Sequence, residues 1–163
     1  MIKYPQFKKV LFCTDFSENS DYAFEFALGI AKREEGLLYI LHVIPGNPQE
    51  VLIEDVMPKS VVEKLHKVLK EETDNKYKER YLNKIENEIK FEVVTKAGKR
   101  ENEEIIKFAK EKKVDIIVMG TKGRTGIENI FFGSIAGKVS RSSPFPVLVI
   151  PYRKKTERLQ DRL

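Results

Sequence analysis

Two hydrophobic periods alternate along the chain. The runs KKVLFCTD, LLYILHVI, KFEVVTKAG, DIIVMG and FPVLVIP are short, apolar and closed by polar or turn-forming residues, which predicts five buried strands. Between them apolar residues recur at helical spacing. In SENSDYAFEFALGIAKREEG, Tyr22, Ala23, Phe26, Ala27 and Ile30 share one face, capping-type residues open the stretch, and Gly36 stands where the helix should stop. RENEEIIKFAKEKKV and FFGSIAGKVSRSS predict two further helices. Val61, Val62, Leu65, Leu69, Tyr77, Tyr81, Ile85 and Ile89 predict one long amphipathic helix over 60–89. At 1.5 Å per residue it would span roughly 45 Å, longer than the sheet beneath it, so it either overhangs or breaks near Thr73-Asp74-Asn75. PGNPQEVLIEDVMPK is irregular, with Pro45, Pro48 and Pro58 breaking any long helix.

The order is therefore βαβαβαβαβ. Strands that are apolar on both faces and separated by helices predict a five-stranded parallel sheet covered on both sides. Right-handed crossovers make this a doubly wound, Rossmann-like α/β fold in a single domain. Such sheets take ligands at the carboxyl ends of their strands, where the winding direction reverses. Those ends are Thr14-Asp15, Val43-Ile44 and Gly120.

Composition narrows the class without naming a chemistry. The chain has 163 residues, 41% hydrophobic and 34% charged, as expected of one globular core. Its apolar runs are far shorter than the roughly 20 residues a bilayer requires. Without an apolar signal region near the start and with one cysteine, Cys13, a reducing, cytoplasmic setting is expected. The net charge of +5 is concentrated at one end. YRKKTERLQDRL, residues 152–163, carries five basic and two acidic residues, leaving 25 basic and 23 acidic residues in 1–151. We therefore expect a domain over 1–151 and a basic tail over 152–163, with no specific nucleic-acid partner and no membrane. One cysteine and two histidines, His42 and His66, give no basis for a transition-metal site.

The candidate chemistry lies in GTKGRTGIENIFFGS, residues 120–134. Four of the nine glycines fall within fourteen positions there. Their order is Gly120, two residues, Gly123, nine residues, Gly133, then Ser134 opening a helix. A helix start presents unpaired N–H groups and a partial positive charge, which suits phosphate. Gly133 would let phosphate oxygens approach the backbone and Ser134 could add a hydroxyl, while Gly120 and Gly123 permit a turn with a nest of N–H groups. Asp15 could accept from ribose hydroxyls. The spacing is neither a Walker A loop nor a dinucleotide fingerprint, and neither HxGH nor SGGxDS occurs. Ser134 has no histidine near it in sequence, so no catalytic residue is assigned.

The glycine pattern, with DIIVMG before it and PVLVIP after it, resembles that of the universal stress proteins, as do VLFCTDFSENS and ILHVI. The resemblance covers roughly residues 6 to 151. It implies an adenine-nucleotide-α-hydrolase-like fold, a regulatory module of the branch that binds ATP with Mg²⁺ or Mn²⁺, at most slow hydrolysis, and a homodimer joined through the last strand, residues 145–151. By position it places Asp15 at the ribose and Val43 at the adenine through its backbone, with Cys13 and Thr14 among the nucleotide-binding residues. Met119 and Gly120 would lie beside the nucleoside and Gly123, Gly133, Ser134 and Ile135 around the phosphates, whose charge Lys122 could screen. Two departures stand out. Cys13 replaces a frequent proline, and Ala136 removes a hydroxyl that some members carry. Two alternatives to a nucleotide sensor are a scaffold that does not use nucleotide and a related nucleotide-dependent α/β enzyme.

Overall fold

The computed structural model describes residues 2, 4–46, 57–121 and 133–151. Five parallel strands run β1 (Lys9–Thr14), β2 (Leu37–Pro45), β3 (Lys90–Gly98), β4 (Ile116–Gly120) and β5 (Val147–Ile150), in the spatial order β3-β2-β1-β4-β5. The helices are α1 (Glu18–Arg33), α2 (Lys59–Arg80), α3 (Glu101–Lys112) and α4 (Ser134–Ser142). The expected doubly wound sheet is therefore present.

Side chains alternate across the central strands, so β1 feeds two cores. Val10 and Phe12 join Leu38, Ile40 and Val118 under Phe24 and Ala27 of α1. Leu11 and Cys13 join Tyr39, Leu41, Ile117 and Met119 under Ile105 and Phe108 of α3 and Val139 of α4. Both faces are thus covered, as parallel sheets require.

Helix α1 begins with Ser17, whose side chain accepts the Ser20 N–H, and carries Lys32 and Arg33 in its last turn. The helix stops before Gly36, and the left-handed residue is Glu35, at φ 50°. Gly36 serves a different purpose. A Cβ there would stand 2.5 Å from the Lys8 carbonyl oxygen, so the glycine admits a close approach of the chain entering β1.

The expected helix over 60–89 is shorter than its periodicity suggested. It runs unbroken through 73–75 but ends at Arg80, and a 3₁₀ turn, Leu82–Lys84, follows. Tyr77 and Tyr81 cause the stop. Both are buried against the aromatic cluster of Phe12, Phe16 and Phe24, so the chain must fold down onto the body there. Ile85 and Ile89 keep the apolar pattern going because they too pack inward, as irregular chain leading to β3. The earlier turns of α2 lie in solvent, with Val61, Leu65, Val68 and Leu69 all exposed. Among the described residues, no helix is long and apolar enough to cross a membrane.

Candidate functional site

The winding direction reverses between β1 and β4, which pair with Cys13 opposite Met119. A cleft of about 310 Å³ opens at their carboxyl ends. Its inner wall is Cys13, Leu41, Val43 and Met119. Along one rim stand Thr14, Asp15, Ser20 and His42, and on the other Gly120, Thr121, Gly133, Ser134 and Ile135. Pro45, Glu101 and Ile105 close the end nearest β2 and α3, and Ala136 completes the wall beneath α4. Nine of the residues expected from sequence therefore share one cleft: Cys13, Thr14, Asp15, Val43, Met119, Gly120, Gly133, Ser134 and Ile135. Lys122 and Gly123 lie outside the described residues.

The β1–α1 turn is held by a hydroxyl network. Asp15 Oδ1 accepts from the Ser17 N–H at 3.1 Å and from Ser20 Oγ at 3.0 Å, which fixes the carboxylate at the rim. Thr14 Oγ1 accepts the Phe16 N–H at 2.9 Å and lies 2.6 Å from Tyr81 Oη. Thr14 O is 2.8 Å from His42 Nδ1, which ties β2 to the end of β1. Phe16 sits at φ 61°, a costly conformation for a bulky residue. Rings hold it there, with His42 at 4.6 Å and Tyr77 at 5.1 Å between centroids.

Burial sets the protonation of the groups behind this wall. It pushes the Cys13 thiol far up, which keeps the sulfur a neutral liner of the wall. The same desolvation raises the Tyr81 phenol, and raises Tyr77 to about 12.

Across the cleft, α4 starts at Gly133 with no side-chain cap. Gly133 donates its own N–H to Thr121 O, and the first bond inside the helix runs from the Gly137 N–H to Gly133 O at 2.9 Å. The N–H groups of Ser134, Ile135 and Ala136 therefore point out of the helix start. They carry the positive end of the helix dipole beside Asp15 and the β4 end. Gly120 has a role that sequence did not reveal. A Cβ on it would meet Asn19 Oδ1 at 2.7 Å, so its bareness serves the packing of α1 against the sheet.

Sequence reasoning missed Ser20, Leu41, His42, Pro45, Glu101, Ile105 and Thr121 as liners. Leu41 could have been found, since it shares the face of Val43 two residues on. Glu101 and Ile105 were accessible too, because α3 follows β3 at the same sheet edge. Ser20 and Thr121 depend on turn geometry that no local pattern encodes. Among the described residues no cluster of three or more His, Cys, Asp or Glu side chains is placed to hold a metal.

The profile of the universal stress protein family matches residues 6–151. The chain is 37% identical over 158 residues to universal stress protein MJ0577 of Methanocaldococcus jannaschii, covering 88% of this chain and 94% of that one. It is 34% identical over 151 residues to MJ0531 of the same organism, covering 91% and 85%. The solved structure of MJ0577 superposes with a TM-score of 0.70 at 30% identity, covering 92% of this chain and 99% of that one. A universal stress protein from Archaeoglobus fulgidus, solved in complex with dAMP, shares the fold at a TM-score of 0.52 and 22% identity, over 92% and 99% of the two chains. The sheet order, the cleft at its winding reversal and these matches lead to one assignment: the chain belongs to the universal stress protein family.

Proposed function

We propose that this protein binds ATP in the cleft and works as a nucleotide-dependent regulatory module, with at most slow hydrolysis. The observation that carries the reading is the uncapped start of α4, whose free N–H groups open onto a cleft that is apolar at its other end. Amides of this kind fit a phosphate chain without any cationic side chain. The cleft volume lies within the range of small-ligand sites. Ser134 and Ile135 then hold phosphate, Asp15 accepts from the ribose, and Leu41, Val43 and Met119 face the base. Mg²⁺ or Mn²⁺ would travel with the triphosphate. The same reading assigns residues 1–151 to the nucleotide-binding domain, 152–163 to a basic tail, and the protein to the cytoplasm as a β5-joined homodimer.

Titration calorimetry of the purified chain with ATP and Mg²⁺ should give saturable binding, one nucleotide per chain. No heat, together with no nucleotide in the mass spectrum of the native protein, would remove the reading. One observation favours a second reading, a partner-binding scaffold that does not use nucleotide. Helix α2 leaves Val61, Leu65, Val68 and Leu69 between 44% and 50% exposed. That reading gains if the calorimetry is silent.

A further inference from the structure

We propose that Glu101 selects the base of the bound nucleotide, its carboxylate accepting a hydrogen bond from an N–H on the edge of the ring. The inference rests on the nucleotide reading above and adds a specificity residue to it.

The cleft has two chemically distinct ends. Helix α4 leaves β4, so its amides lie at the β4 side, while α3 leaves β3, so its first turn lies at the β2–β3 side. With strands about 4.8 Å apart, the ends of β3 and β4 are separated by roughly 14 Å, room for an extended nucleotide to lie across. Phosphate at α4 therefore sends the base toward α3. There the lining is Leu41, Val43, Pro45 and Ile105, apolar walls suited to a planar ring. Glu101 is the charged side chain among them.

Its neighbours in sequence are used differently. Glu103 pairs with Arg100 at 2.6 Å, and Glu104 packs over Gly98. Glu101 is half-buried and makes no hydrogen bond or ion pair among the described residues. A carboxylate in the first turn is favoured by the helix dipole, and it accepts hydrogen bonds without donating any. Beside apolar walls it calls for a ligand with an N–H in the plane of its ring. The amino group of adenine supplies one.

The test compares ATP with purine riboside triphosphate, which keeps the ring, ribose and phosphates but lacks the amino group. The wild-type chain should bind ATP roughly tenfold to a hundredfold more tightly, the worth of a hydrogen bond to a charged group. Glu101→Ala should bring the two affinities together, and Glu101→Gln, which keeps an acceptor oxygen, should restore part of the gap. Comparing ratios cancels any general change from removing a negative charge near the triphosphate. Equal affinities in the wild type, or an unchanged ratio in Glu101→Ala, would overturn the role of Glu101 while leaving nucleotide binding intact. Failure of the wild type to bind either ligand would overturn both.

Discussion

A Cβ placed on Gly120 would stand 2.7 Å from Asn19 Oδ1 and 2.8 Å from its Cγ. Asn19 has little freedom to retreat. It is buried, its Nδ2 donates to Ile150 O at 3.3 Å, and its Oδ1 accepts from Thr121 Oγ1 at 3.4 Å. One side chain of α1 thus spans the ends of β4 and β5, and Gly120 gives it space. Gly120→Ala is expected to destabilise the fold by about 1–3 kcal/mol, read from the urea midpoint at unchanged slope. In the double variant with Asn19→Ala the two losses should add to less than their sum, since the clash disappears with the amide. The glycine was visible in the sequence as part of a cluster. Its partner was not, because Asn19 sits in SENS, where an asparagine looks like one more capping residue.

Helix α2 shows what periodicity can and cannot define. Strands β1, β2 and β4 and the helices α1, α3 and α4 were legible because most of their apolar positions are buried by the element that carries them. Strands β3 and β5 kept the apolar pattern of strands although they are mostly half-buried or exposed at the sheet edges. Along 60–89 the same spacing has two causes. Val61, Leu65 and Leu69 are exposed, whereas Tyr77, Tyr81 and Ile89 are buried, and Ile89 lies beyond the helix end. No local signal separates these groups. The two tyrosines that anchor the helix also give it an alkaline limit. Both phenols are raised by burial, Tyr77 to about 12, while in the unfolded chain they titrate near pH 10. Below about pH 10 both states hold the protons and the full stability is present. Above it the unfolded chain releases them first, so stability should fall as the pH climbs toward 12. Lys32 and Lys112, kept charged chiefly by hydrogen bonds to Glu86 and Glu92, push in the same direction. Urea midpoints across this window should decline less steeply in Tyr77→Phe/Tyr81→Phe, and an equal decline would show that burial of the phenols is not the cause.

The two edges of the sheet differ in how they meet solvent. Strand β3 places exposed Lys90 and Glu92 and half-buried Lys96 along its edge, charges that discourage pairing with another chain. Strand β5 reads VLVI, carries no charge, and leaves Val147, Leu148 and Val149 only half-buried. The carbonyls of Pro146 and Ile150 accept the N–H groups of Ile117 in β4 and of Thr121 just after it, so by alternation the peptide groups of Val147 and Val149 point away from the sheet. A twofold pairing of β5 with its copy would satisfy them and continue the sheet from one subunit into the other. The cleft opens at the strand ends rather than at this edge, so pairing would leave it accessible. Val149→Pro removes one outward N–H without touching the ladder to β4, a place where an edge strand tolerates proline. Light scattering should therefore find the wild-type chain as a dimer and Val149→Pro as a monomer that still unfolds cooperatively and binds ATP as the wild type does. A wild-type monomer at every concentration, or a variant dimer as tight as the wild type, would place the subunit contact elsewhere.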